Sequence, residues 1–304
     1  MTNLKEKKIL VTGGNGFIGK EVVNNLIKKR SVSPDNIFVP LEKDCDLRRW
    51  ENCQEATKGM NVVIHLAAVT GNIEFHKLNP GKIFYDNLIM GTYLMEAARL
   101  AGVEKFLGIG SATEYPKDAS IPLKEDDLWS GYPEEINAPY SLAKKMLLVQ
   151  GQAYRQQYGF NAIHLLLTNV FGPGMNLENG YVISSLIQKI ESATKGNEKF
   201  IELWGTGKPT RDFLYIEDAA EAVLLAVEKY DKAGPVNIGS GQETSIKELA
   251  EINSFLIDFD GEIRWDRLKP DGQLRWFLET GLAEKEFGFK AKTIFKAGLA
   301  KTFA

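Results

Sequence analysis

Nine residues near the start constrain the fold more than any other stretch. Val11-Thr12-Gly13-Gly14-Asn15-Gly16-Phe17-Ile18-Gly19 joins a short apolar run, residues 9–11, to an amphipathic stretch, residues 17–29. Glycine at 13, 16 and 19 allows a tight turn, a close backbone approach to a ligand, and close packing of helix on strand. The free amides of the first helical turn then meet a phosphate. A lone glycine pattern also fits a plain tight turn. Between a strand and a helix it predicts a dinucleotide held by Gly13, Asn15, Gly16, Phe17, Ile18 and Gly19.

The following chain agrees. Apolar runs at residues 37–39, 62–66, 106–110 and 162–167 read as strands, and residues 82–101 and 140–158 read as helices. Near-continuous apolar strands alternating with helices predict an α/β fold, a doubly wound parallel sheet of Rossmann type. After Gly172, residues such as Pro173, Gly174, Gly180, Gly196, Gly205, Gly207 and Pro209 break the chain into shorter pieces. A helix at 217–229, a strand at 236–238, a helix at 246–252 and a helical carboxyl end are expected there. The reading is a dinucleotide-binding part, residues 1–171, and a smaller α/β substrate-binding part, residues 172–304, with some chain crossing back to the sheet.

Charge and cysteine content exclude several partners. A formal net charge of -3 offers no basic surface for nucleic acid or anionic lipid. Cys45 and Cys53 lack metal-ligand company, so neither a disulfide framework nor a metal site is expected. No apolar run is long enough to span a bilayer, and residues 1–8 do not resemble a secretory signal. A cytoplasmic protein is the expectation.

Ser111, Tyr140 and Lys144 form the candidate chemical centre. Ser111 follows a strand, and Tyr140 and Lys144 lie four apart on one helix face. Hydride transfer at an oxygen-bearing carbon needs a group that gives or takes the oxygen's proton. A tyrosine beside an ammonium is suited to that, with the serine orienting the oxygen. Tyr-x-x-x-Lys alone is a common chance pair; with the glycine loop and the serine in the right order it becomes a strong signal. At the end of the second strand, Glu42 favours NAD through a ribose hydroxyl, while Lys43 keeps NADP open.

On these residues the chain resembles extended short-chain dehydrogenases along its whole length, and is most similar to the GDP-L-fucose synthase group of 4-keto-6-deoxy-sugar epimerase/reductases. The similar stretches include His65-Leu66-Ala67-Ala68, residues 126–132, 138–145, 156–159, 169–173, 204–207, 211–218 and 269–273. The resemblance implies a nucleotide-sugar substrate and a homodimer paired through helices 82–101 and 140–158. It places Leu66, Ala67 and Ala68 at the cofactor, and Asn169 at the sugar or its phosphates. Lys189, Trp204 and Arg211 would meet the nucleotide, Trp204 near the base and the cations near the diphosphate. For Trp204 the alternative is plain core, and for Arg211 an ion pair with Asp212 or Glu217.

Two departures bear on the reaction. Fucose synthases carry a cysteine two residues after the serine and a histidine before a Val-Ile-Pro stretch, the acid and base that invert the carbons beside the ketone. Here those positions are Thr113 and Tyr181, and none of the three histidines matches. Ser111-Ala112-Thr113-Glu114-Tyr115 instead resembles the Ser-Ala-Thr-x-Tyr segment of UDP-galactose 4-epimerases, which brings Thr113 into the catalytic set. The acidic pair of 4,6-dehydratases is missing. Arg275-Trp276 and Glu279 differ from the synthases and leave the base open. The expected reaction is hydride transfer at C4 of a nucleotide-activated hexose without inversion at C3 and C5. The alternatives are an NAD-dependent 4-epimerase, a full fucose synthase with Tyr181 as substitute acid, and a dinucleotide-binding sensor without turnover.

Overall fold

The computed structural model describes residues 2–303. In its first part, strands β1 (Ile9–Thr12), β2 (Ile37–Phe38), β3 (Val62–His65), β4 (Lys105–Ser111) and β5 (Ala162–Leu167) alternate with helices. These are α1 (Phe17–Arg30), α2 (Trp50–Thr57), α3 (Ile73–Leu78), α4 (Pro80–Leu100) and α5 (Ala138–Tyr158). Then come β6 (Asn169–Phe171), α6 (Val182–Lys195), β7 (Phe200–Trp204), β8 (Thr210–Arg211), β9 (Phe213–Tyr215) and α7 (Ile216–Lys229). The chain finishes with β10 (Pro235–Ile238), β11 (Thr244–Ser245), α8 (Ile246–Leu256), β12 (Glu262–Asp266), β13 (Arg275–Trp276), α9 (Gly281–Phe287) and α10 (Phe295–Phe303).

The main sheet is six-stranded and parallel, in the order β10-β5-β4-β3-β1-β2. Its strands are apolar throughout because both faces are covered. Ile9, Val11, Val62, Ile64, Leu107 and Ile109 join the core formed with α1 and α7. Leu10, Val63 and Phe106, one residue out of phase, join the core formed with α2, α4 and α5. Burying each such side chain contributes about 2 kcal/mol. Arg30 at the end of α1 clamps onto α7, reaching Glu221 at 2.6 Å and Glu228 at 3.1 Å. From β1 the chain turns to β2 on one side, then crosses to β3 on the other. That reversal opens a crevice at the carboxyl ends of β1 and β3.

The second part is more regular than the sequence suggested. Helix α6 was not expected, yet Ile183, Leu186, Ile187, Ile190 and Ala193 recur at helical spacing and fill a third core with α8, α10 and β7. Gly180 and Gly196 bound this helix instead of interrupting it. Helix α7 and strand β10 return to the main sheet, so residues 216–238 serve the first core although they come late in the chain.

Among the described residues no helix is long and apolar enough to cross a membrane. Nor do three or more His, Cys, Asp or Glu side chains stand together as a metal site.

Candidate active site

The glycine loop fills the crevice. Gly13 adopts φ 68°, and a Cβ there would come within 2.8 Å of the Ala67 nitrogen at the end of β3. A Cβ on Gly19 would run into the Gly13 carbonyl oxygen. Helix α1 starts at Phe17 with Gly16 as its N-cap, no capping side chain and no acid in its first turn. Its leading amides are therefore left for an external acceptor, a cradle that suits a pyrophosphate. Thr12 holds the opposite lip: its hydroxyl lies 2.7 Å from His65 Nδ1 and accepts from the Ala67 N–H at 3.3 Å. Leu66 and Ala67 line this edge half-buried, and Ala68, like Asn15, is exposed.

In the turn that follows β2, Glu42 and Lys43 are both exposed. Glu42 takes a hydrogen bond from Arg48 at 3.1 Å, and Arg48 also holds Asp46 at 2.7 Å. Among the described residues Lys43 forms no ion pair. The acid that argued for a ribose hydroxyl is thus shared with an arginine absent from the sequence argument.

Ser111 ends β4, while Tyr140 and Lys144 stand one turn apart on α5, which packs on β4. The Lys144 ammonium is buried, lies 6.0 Å from the Tyr140 ring centre, and has no hydrogen-bond partner among the described residues. Burial pulls its pKa down to about 8, against an opposing push from Glu114. Burial, then Glu114, then Tyr181 push the Tyr140 phenol well above its ordinary value. In the free protein Tyr140 is thus a neutral phenol, an acid awaiting an acceptor.

Thr113 belongs to a hydroxyl chain. Ser141 donates to Thr113 at 3.1 Å, and Thr113 donates to Ser111 at 3.1 Å, with the Thr113 N–H also reaching Ser111 Oγ at 3.2 Å. It orients the serine. Tyr181 is half-exposed and donates to the Gly71 carbonyl at 3.2 Å. Beside Tyr140 stands His76, whose ring meets it edge-on at 5.9 Å and whose Nε2 is 3.1 Å from Thr70 Oγ1. Burial lowers the His76 pKa.

The expected nucleotide residues are less closely knit. Asn169 is exposed and donates to the Asp212 carbonyl at 3.2 Å. Lys189 on α6 donates to the Glu202 carbonyl of β7. Trp204, at the end of β7, is 69% exposed with Lys269 over its ring at 5.5 Å, so it is not core. Arg211 donates to the carbonyls of Thr210 and Gln273, both at 2.7 Å. It has no acidic partner among the described residues, because Asp212 turns the other way and bonds Ser240 at 2.5 Å. Burial without a counter-ion lowers its pKa. Trp204 and Arg211 meet the same loop, residues 269–273, whereas Lys189 bonds Glu202 of β7, two residues before Trp204.

Sequence reasoning missed His76, Ser141 and Glu114. No periodicity links the first two to the centre. For Glu114 a signal was present, the Ser-x-x-Glu spacing of a capping box, and the structure closes one: its Oε1 accepts the Ser111 N–H at 2.8 Å.

The sequence profile of the NAD dependent epimerase/dehydratase family matches residues 9–239. The chain is 36% identical over 304 residues to a probable GDP-L-fucose synthase 1 of Oryza sativa subsp. japonica, covering 98% of this chain and 92% of that one. It is 36% identical to a GDP-L-fucose synthase of Sinorhizobium fredii, covering 99% and 95%. A solved GDP-mannoheptose C4 reductase from Campylobacter jejuni with NADP bound superposes with a TM-score of 0.88 at 25% identity, covering 100% and 98%.

Proposed function

The chain belongs to the NAD dependent epimerase/dehydratase family, and from that membership we propose that it reduces the 4-ketone of a nucleotide-activated deoxyhexose without inverting C3 or C5. The observation that carries this reading is the hydroxyl chain Ser141–Thr113–Ser111. The position that needs an acid for inversion holds a threonine whose hydroxyl is spent on aligning Ser111. A threonine is in any case far too weak an acid for that task.

A bound nicotinamide dinucleotide supplies the hydride. Ser111 holds the substrate oxygen, Tyr140 gives it a proton, and the Lys144 ammonium stabilises the phenolate that develops. Gly13, Gly16, Gly19 and the start of α1 carry the pyrophosphate, with Leu66, Ala67 and Ala68 along the opposite lip. We favour NADP over NAD: Glu42 is engaged by Arg48, Lys43 is unpaired among the described residues, and a solved relative holds NADP. Arg211, Trp204, Lys189 and Asn169 take the nucleotide diphosphate and sugar. In this reading residues 1–171 bind the cofactor and 172–304 the substrate, with residues 216–238 completing the sheet. The protein works as a homodimer through α4 and α5, where Phe84, Tyr85, Leu100, Val149 and Tyr158 are exposed.

A second reading retains inversion with Tyr181 as the acid, favoured by the closeness that lets Tyr181 push the Tyr140 phenol up. Reducing a GDP-linked 4-keto-6-deoxyhexose in deuterated water separates the two. Pure C4 reduction leaves C3 and C5 without deuterium by nuclear magnetic resonance; deuterium at both would establish the second reading. Absence of NADPH or NADH consumption would sink both.

A further inference from the structure

Glu114 is a fully buried acid that the proposed chemistry leaves without a task. A carboxylate out of water is costly unless neighbours compensate its charge. Only Oε1 is satisfied, by the Ser111 N–H at 2.8 Å. Among the described residues Oε2 has no hydrogen-bond partner, and it faces His164 Nε2 on β5 at 3.5 Å, itself without one. The fold gives up a side chain to house the pair: a Cβ on Gly110 would collide with both Glu114 Oε1 and His164 Nε2. A capping box needs only an acceptor for one N–H. A space cleared for a second oxygen that faces an imidazole at 3.5 Å points to a charge as well as a cap.

That charge has few places to act. Lys145 on α5 is near, but its ammonium is committed to the Leu128 carbonyl at 2.7 Å and lies over the Trp129 ring. Tyr115 beside Glu114 is bonded to Asn237 at 2.8 Å. What remains, beyond His164 itself, is Lys144 and Tyr140, on the helix whose first turn meets the Glu114 turn through the Ser141–Thr113 hydrogen bond at 3.1 Å. Around those two, the other ionisable groups are His65 from β3, His76 from α3, and Tyr181 from the start of α6.

We propose that Glu114 is a charged positioning residue, whose buried carboxylate fixes the Ser111 backbone and holds Tyr140 and Lys144 as phenol and ammonium, setting the site to deliver a proton rather than remove one. This rests on the reductive reading above. The electrostatics run the same way: Glu114 raises both the Tyr140 phenol and the Lys144 ammonium, against the burial that draws Lys144 down to about 8. Without it, both protons are lost at lower pH.

Glu114→Gln keeps an acceptor for the Ser111 N–H and removes only the charge; Glu114→Met serves if that variant does not fold. The first readout needs no substrate. In protein labelled with [6-¹³C]lysine, the Lys144 signal, identified by its loss in Lys144→Met, should titrate at lower pH in Glu114→Gln than in the parent. In Glu114→Asp, which keeps the charge, it should titrate as in the parent. An unmoved midpoint in Glu114→Gln, or an equal shift in Glu114→Asp, overturns the proposal. The second readout is NADPH-dependent reduction of the GDP-linked 4-keto-6-deoxyhexose. Its alkaline limb should move to lower pH in Glu114→Gln, with about a threefold further loss near pH 8.5. An unmoved limb also overturns the proposal. If the parent reduces nothing, the reductive reading fails by itself, and the lysine titration still decides whether Glu114 holds the ammonium.

Discussion

The two walls of the candidate site are built differently. On the β4–α5 side, Ser111, Thr113, Ser141 and Glu114 are bonded to one another, and Lys144 is buried one turn along α5 from Tyr140. On the β7–β8 side, Trp204 stands in solvent and Arg211 holds only carbonyls. The first wall is aligned before any ligand arrives, which suits groups that must act at one atom within tenths of an ångström. The second holds an exposed ring and a half-buried cation that has no acidic partner among the described residues. Under the proposed function, reaction chemistry is built into the fold, while recognition is completed by the substrate.

The sharpest way to break that contrast is Tyr140→Phe. It should cut kcat for 4-ketone reduction about a thousandfold, with the affinity for NADPH, measured by fluorescence titration, almost unchanged. A fully active variant would remove Tyr140 from the chemistry and the first wall from its role.

Arg211→Ala tests the other wall. A charge-assisted contact to a diphosphate of about 2 kcal/mol predicts a rise in KM of about thirtyfold, with kcat nearly conserved. A fall in kcat with KM unchanged would show Arg211 acting on the reaction and blur the division. A pH profile probes the first wall again. Below a pH of about 8 Lys144 is an ammonium; above it the developing phenolate loses its counter-charge. Reduction should therefore decline as pH rises through about 8, approaching about tenfold per unit.

Legibility divides along the same line. The glycine loop and the Ser111, Tyr140 and Lys144 set could be read because each depends on spacing within one strand end or one helix turn. The fold followed from apolar strands alternating with helices. The surroundings of those groups could not be read. His76 reaches Tyr140 only because α3 folds back over α5's start, and the Ser-x-x-Glu spacing of Ser111 and Glu114 says nothing of burial. The ion pair considered for Arg211 and Asp212 is absent because successive side chains along an extended segment point apart. Helix α6 was hidden by flanking glycines that set its ends.

The smallest effect should come from Trp204→Ala, and its pattern matters more than its size. A ring 69% exposed contributes little to the core, so the thermal midpoint should stay within about 1 °C of the parent. If the ring stacks on the nucleotide base, worth about 1 kcal/mol when part of the face stays wet, KM should rise about fivefold and Trp204→Phe should recover most of it. Lys269, 5.5 Å from the ring centre, would then share the same ligand, and removing both should cost less than the sum of the single losses. A drop in stability with KM unchanged would make Trp204 a packing residue and extend the preformed wall across the cleft.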